Sequence, residues 1–257
     1  MTIRHDFAGR TALVTGAASG IGRAAARAFA AAGAWVLAVD LDAQGAATTL
    51  ALAREAGGDG AVARCDVTDA AGVEQAVARL VGERGRLDHA VNAAGVEGRP
   101  GALLDEDEAL FDRVLDVNLR GVWHCMRAQI ARMVAQPDGG TIVNVASAAG
   151  LVGSTRCASY SASKHAVIGL TRSAAIQYAR RGVRVNAICP AGVDTPMAAR
   201  IAAASPGALA SGGGAGYPLG RYATPEEIAD GILWLSGAGA GAAVGTVLAM
   251  DSGFTAT

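Results

Sequence analysis

Two side chains in "YSASKHAV" (160–167) have the types and spacing for proton transfer: Tyr160 and Lys164. Lys164 is the only lysine among 22 basic residues, and all the others are arginine. A separation of four places both on one face of a helix. A tyrosine that exchanges a proton with an alcohol starts from a pKa of about 10. A full positive charge ~4 Å away, at an effective dielectric near 20, is worth about 4 kcal/mol. That is roughly three pKa units and would bring the phenol near 7. Arginine supplies charge, but its fork is larger and it does not give up its proton. A lysine ammonium is compact, and its rotatable donors reach two vicinal ribose hydroxyls at once. The pair therefore reads as an acid/base couple. The bland alternative is an incidental surface lysine after an incidental tyrosine.

A second constellation is "TGAASGIG" (15–22), with Gly16, Ser19, Gly20, Ile21 and Gly22. Its GxxxGxG spacing differs from GxGxxG, but the physical task is similar. Glycines permit a tight turn, let a pyrophosphate approach without a Cβ, and aim helix amides at the anion. A glycine turn alone is weak in a chain with 35 glycines. Here an acid, Asp40, follows at the end of the next β-rich run, where a carboxylate accepts from the ribose hydroxyls and repels a 2′-phosphate. Asp42 adds a second acid, Leu41 lies between them, and residues 39–45 contain no arginine. The expected cofactor is NAD rather than NADP. A strand-end turn residue is the alternative reading of Asp40.

Short β-rich runs alternate with longer helical stretches around these motifs. Strands are predicted at 11–15, 35–39, 60–65, 87–92, 141–146, 183–189 and 245–251, and helices at about 20–33, 43–56 and 158–181. Gly182 suits a left-handed helix end. "TPEE" (224–227) has the Thr, Pro and Glu of a capping box that opens another helix. This alternation implies βαβ units: an α/β Rossmann fold, doubly wound, with a parallel sheet of about seven strands and helices on both faces. No linker divides residues 1–257, so one domain is expected. The small-residue segment within 194–220 reads as a substrate flap or a surface insertion.

Composition narrows the function classes. A net charge of −1 without basic blocks argues against nucleic acid. No uncharged run of 18 apolar residues argues for a membrane span, and the first ten residues do not resemble a secretory signal. A cytoplasmic location is expected. The four cysteines and four histidines are scattered without metal-site spacing, so no metal is expected.

With these motifs in order, the chain resembles the short-chain dehydrogenase/reductase family over nearly its whole length. The resemblance assigns Tyr160 and Lys164 to the family's YxxxK, Ser147 in "NVASAAG" to the serine that polarises the substrate oxygen, and Asn118 in "DVNLRG" to the catalytic asparagine. It implies a relay. Tyr160 is the general base in oxidation, Ser147 positions the oxygen, Lys164 holds the ribose and lowers the tyrosine pKa, and Asn118 orders water. It also implies that Asp66 and Val67 meet adenine. "NAAG", with Asn92, Ala93 and Gly95, stands for the family's NNAG. Pro190, Gly192, Val193 and Thr195 would meet the nicotinamide end. A homotetramer, or less often a dimer, packed through the helices bearing Asn118 and Tyr160 is implied as well.

Substrate candidates near these anchors are Ser147, Val96, Leu151, Val152, Cys157, Val193 and Met197. Most are apolar, which suits a cyclic, aromatic or steroid-like secondary alcohol or ketone. Glu97 is read as a hydroxyl ligand or as a solvated side chain. Arg99 and Arg156 leave a phosphate handle open. Two rivals stand beside the NAD-dependent alcohol dehydrogenase: a 3-oxoacyl-thioester reductase of the same family, and a dinucleotide-binding scaffold or redox sensor without turnover.

Overall fold

A computed structural model describes residues 5–155, 157–204 and 216–256. All seven predicted strands are present: β1 (Thr11–Thr15), β2 (Trp35–Asp40), β3 (Asp59–Arg64), β4 (His89–Asn92), β5 (Gly140–Val145), β6 (Val183–Pro190) and β7 (Val247–Met250). They form one parallel sheet in the order β3-β2-β1-β4-β5-β6-β7. The order reverses between β1 and β4, so the connections after these strands leave in opposite directions and open a crevice at their C-terminal ends.

The helices are α1 (Gly20–Ala31), α2 (Ala43–Glu55), α3 (Ala70–Arg84), α4 (Glu108–Leu115), α5 (Gly121–Met133), α6 (Ala158–Tyr178), α7 (Pro196–Ala204) and α8 (Pro225–Ser236). The inner strands β1, β2, β4, β5 and β6 bury both faces, as parallel strands covered by helices do, while the edge strands β3 and β7 are only partly buried. Leu13, Leu37, Ala90 and Ile142 point to the side covered by α3, α5 and α6. Their neighbours Val14, Val36, Val91 and Val143 point to the side covered by α1, α2 and α8. This is the expected doubly wound fold.

Local chemistry sets the boundaries that matter. The helix expected at 158–181 is α6, which tightens into a 3₁₀ turn at Ala179–Arg181 before Gly182 takes a left-handed φ of 79°. Thr224 and Glu227 close the expected capping box on α8. Sequence gave no sign of the π-helical turn Asp116–Arg120, which joins α4 to α5 and carries Asn118. Such turns concentrate at functional sites because they re-aim one side chain.

Of the 194–220 segment, 194–204 and 216–220 are described, with α7 filling most of the first part; residues 205–215 and Arg156 lie outside the described residues. The structure shows no helix long and apolar enough to cross a membrane among the described residues. The same residues hold no group of three or more His, Cys, Asp or Glu able to bind a metal ion. His89 is structural: it is buried against Phe7 and Phe29, bonds Thr141 at 2.8 Å, and burial drives its pKa down to about 4.

Candidate active site

A cleft of about 1050 Å³ opens along the C-terminal ends of β1, β2, β4, β5 and β6. At its base β1 gives way to Gly16, whose φ of 69° favours glycine. A Cβ there would stand 2.7 Å from the backbone nitrogen of Ala94, so the two turns at the strand-order reversal meet only over a glycine. A Cβ on Gly22 would stand 2.1 Å from the Gly16 carbonyl oxygen. The Thr15 hydroxyl accepts hydrogen bonds from the Ala93 and Ala94 amides, both at 3.2 Å, and locks the turns together. Ser19 precedes α1 in extended conformation without a side-chain cap. The first amides of α1 therefore face the cleft without a protein side chain.

Asp40, at the end of β2, accepts from the amides of Ala18 and Asp42, each at 2.9 Å, which fixes its carboxylate at the rim of this turn. Arg23, one turn into α1, directs its guanidinium at the Ala18 carbonyl and the Thr49 hydroxyl. Leu41, Asp66 and Val67 continue the same wall. The Asp66 carboxylate accepts from the Thr68 amide and hydroxyl at 2.9 and 2.8 Å. The absent Cβ atoms, the uncapped helix start and the ribose-height carboxylate fit a dinucleotide.

Across the cleft, α6 presents Tyr160 and Lys164 on one face, with the ammonium 5.5 Å from the tyrosine ring centre. Ser147, which starts the 3₁₀ turn after β5, hydrogen-bonds Tyr160, donates to the Pro190 carbonyl at 3.4 Å and accepts from the Ala149 amide at 3.1 Å. Lys164 is only 4% exposed and donates to the Val145 carbonyl at 2.9 Å.

Burial sets both ionisations. It pushes the Tyr160 phenol up to about 12, with the Ser147 hydrogen bond only partly opposing it, and pulls Lys164 down to about 8. The expected phenol near 7 is corrected by this geometry. A low-dielectric surrounding disfavours the phenolate and the ammonium alike, so the lysine loses part of the charge that was to stabilise its neighbour.

Asn118 lies wholly buried behind the cleft wall. Its amide oxygen accepts from the Val96 nitrogen at 2.8 Å, while its amide nitrogen donates to the Val96 carbonyl at 3.0 Å and to Ser163 at 3.3 Å. It thus clamps the loop that follows β4 to α6. A Cβ on Gly95 would stand 3.2 Å from the Asn118 oxygen and 3.7 Å from the Lys164 ammonium, so this glycine lets the three groups converge.

Ser19, Gly20, Ile21, Ala93, Pro190, Gly192, Val193 and Thr195 also line the cleft, as do the substrate candidates Val96, Cys157 and Met197. Three expected residues do not. The Asn92 side chain turns inward to Gln129 and Asn144, at 3.1 and 2.8 Å, in a buried amide network between strands. Leu151 packs on the core beneath α6, and Val152, 37% exposed, lies outside the lining. Both follow the 3₁₀ turn, which carries the chain away from the cleft.

Sequence reading missed an aromatic wall of Tyr217, Tyr222 and Phe254. These residues sit outside any motif; the detectable signal was that they are three of only eight Tyr and Phe residues in the chain. Arg113 and Arg200 were missed too. Glu97 is neither free in solvent nor bare in the cleft: Arg200 grips it in two hydrogen bonds.

A family model described as "Enoyl-(Acyl carrier protein) reductase" matches residues 16–255. The chain is 43% identical to the cis-4-hydroxycyclohexanecarboxylate dehydrogenase of Sinomonas cyclohexanicum, across 97% of this chain and 98% of that one. It belongs to the short-chain dehydrogenase/reductase family. Its fold is similar to levodione reductase, with a TM-score of 0.94 at 35% identity over 98% of this chain and 99% of that one. It is also similar to a carveol dehydrogenase from Mycobacterium avium solved in complex with NAD, with a TM-score of 0.89 at 27% identity over 98% and 100%. The chain is thus an oxidoreductase of a family that acts on CH–OH groups with a nicotinamide cofactor.

Proposed function

We propose that the chain interconverts a secondary alcohol and a ketone with NAD(H), on an apolar cyclic, aromatic or steroid-like substrate. The observation that carries this reading is the Tyr160–Ser147 hydrogen bond beside Lys164, in the same cleft as the Asp40 rim. Gly16, Gly20, Gly22 and the start of α1 would receive the pyrophosphate, Asp40 the adenosine ribose and Lys164 the nicotinamide ribose. Asp66 and Val67 would border adenine; Val193 and Thr195 would border the nicotinamide. When bound, the nicotinamide supplies the hydride acceptor or donor.

The chain's own residues handle the proton. Ser147 orients the substrate oxygen, and Tyr160 takes the hydroxyl proton in oxidation or returns it in reduction. With the phenol held up near 12, the protonated form suited to ketone reduction dominates at neutral pH. Lys164, held near 8, exchanges protons readily and is the next carrier. Asn118 keeps the loop after β4 against α6 and, as the family resemblance suggests, orders water behind Lys164.

The ring-alcohol part rests on the wall of Tyr217, Tyr222 and Phe254 facing Met197, and on the cyclohexane ring named for the Sinomonas relative. Exposed Phe111, Trp123 and Ile176 on α4, α5 and α6 support a homotetramer, or a dimer, through those helices. The test is oxidation of cyclic, aryl, steroidal and polyol secondary alcohols with NAD and, separately, NADP. Apolar ring alcohols turned over about tenfold better with NAD would support the reading. The matching family description names an acyl-carrier reductase, so NADP preference with 3-oxoacyl-thioester turnover would replace it.

A further inference from the structure

The substrate end of the cleft is bounded by two segments distant in sequence: the loop after β4 and the helix α7. The loop is firmly anchored. Asn118 holds Val96 through both backbone atoms, and Glu106 accepts from the Ser159 amide at 3.2 Å and from its hydroxyl, tying the loop to the first turn of α6. Helix α7 is different. None of its residues is fully buried, and its N-terminal turn is held locally by Thr195.

One charged contact joins the two. The Arg200 guanidinium meets the Glu97 carboxylate at 2.5 and 3.0 Å, one nitrogen to each oxygen. A bidentate pair fixes orientation as well as distance. The Glu97 side chain is 22% exposed and that of Arg200 60%, so water screens the pair mainly from the arginine side. Burial alone would raise its carboxyl pKa; the Arg200 hydrogen bonds outweigh that and hold it below the usual range, so Glu97 is an anion at neutral pH. Its charge also raises the Tyr160 phenol, so the carboxylate lies within electrostatic reach of the reacting oxygen.

We propose that Glu97 and Arg200 form a latch that holds α7 over the substrate end of the cleft and restricts that end to neutral ring alcohols, rejecting carboxylates. The proposal rests on the alcohol-dehydrogenase reading above. A neutral ring lies against Tyr217, Tyr222 and Phe254, and a hydroxyl at its far end can donate to Glu97. A carboxylate there would face the Glu97 anion while the best-placed cation, Arg200, is already engaged. Arg113, exposed on α4, also lines the cleft and lowers the Glu97 pKa, but solvent screens its charge more than that of the less exposed carboxylate.

The test compares the full-length protein with Glu97→Gln, Arg200→Gln and the exchanged pair Glu97→Arg/Arg200→Glu. Hydrogen exchange of residues 196–204 reads the latch without any turnover. Each single variant should exchange about fivefold faster there, and the exchanged pair should return towards the original rate. Selectivity is read as the kcat/KM ratio of 4-methylcyclohexanol to cis-4-hydroxycyclohexanecarboxylate. Glu97→Gln should lower that ratio about tenfold, and the exchanged pair should lower it further, because the cleft-facing charge is now positive. Unchanged exchange in both single variants, or an unchanged ratio in Glu97→Gln, overturns the proposal. If the original protein oxidises no secondary alcohol, the enzymatic reading fails separately, and the exchange data alone decide the latch.

Discussion

On the glycine-turn side of the cleft, residues 15–22 and 39–42 follow directly from the ends of two neighbouring parallel strands. On the opposite side, Glu97, Arg200, Tyr217, Tyr222 and Phe254 come from separate stretches between β4 and the C-terminus. The first wall is backbone: missing Cβ atoms, amides and one carboxylate locked by two amide hydrogen bonds. The second is side chain, with a helix that buries none of its residues completely. A wall that meets an invariant ligand part is set by close backbone approach and tolerates little change. A wall that meets the variable part is set by side chains and can be re-cut without disturbing the fold.

Tyr160 stands where the walls meet, and replacing it gives the largest expected effect. Tyr160→Phe should reduce kcat for alcohol oxidation by about 10²–10⁴-fold in steady-state assays. A loss below tenfold would remove the phenol from the chemistry. The pH profile comes next. Burial holds the phenol near 12, so the phenolate needed for oxidation grows by about tenfold per pH unit below that value. Oxidation should therefore climb from pH 7 to 10, while ketone reduction stays nearly level because the phenol remains protonated throughout that range. A flat oxidation profile would mean that proton transfer does not limit that direction.

The cradle is predicted to be brittle. Gly22→Ala forces a Cβ into the Gly16 carbonyl and should destabilise the protein by about 1–3 kcal/mol in denaturant unfolding. Cofactor affinity, followed by NADH fluorescence, should fall with it. Asp40→Ser removes a charge at the rim and should cut the NAD-to-NADP ratio of kcat/KM by about tenfold; an unchanged ratio would reassign Asp40 to holding the turn. The side-chain wall should yield the smallest changes. Met197→Ala is expected to raise KM for a ring alcohol about threefold, while Val152→Ala leaves it alone. Equal effects of the two would blur the boundary between the walls.

The placement of Tyr160 and Lys164 on one helix face, the glycine turn and the position of Asp40 were legible because each is a local relation. A helix period or a strand–turn–helix passage fixes who faces whom within a few residues. The tyrosine ionisation was not legible. Charge spacing suggested a lowered pKa, but the cost of burial depends on everything packed around the pair. Asn92 misled for a similar reason. Its motif position suggested the cleft, yet Gln129 and Asn144, from other elements, draw its amide inward.

The alternation of apolar runs, the caps and the order of the motifs determined a parallel doubly wound sheet and which motifs meet at its C-terminal edge. Periodicity and turn chemistry act over distances that the chain itself measures. Which side chains close the far end of the cleft was decided only by tertiary structure. Glu97 and Arg200 are 103 residues apart, and Phe254 lies beyond the last strand; no local rule brings such residues together. Packing of the loops against α6 and the sheet edge does, because the buried strands beneath fix where every loop must start and end.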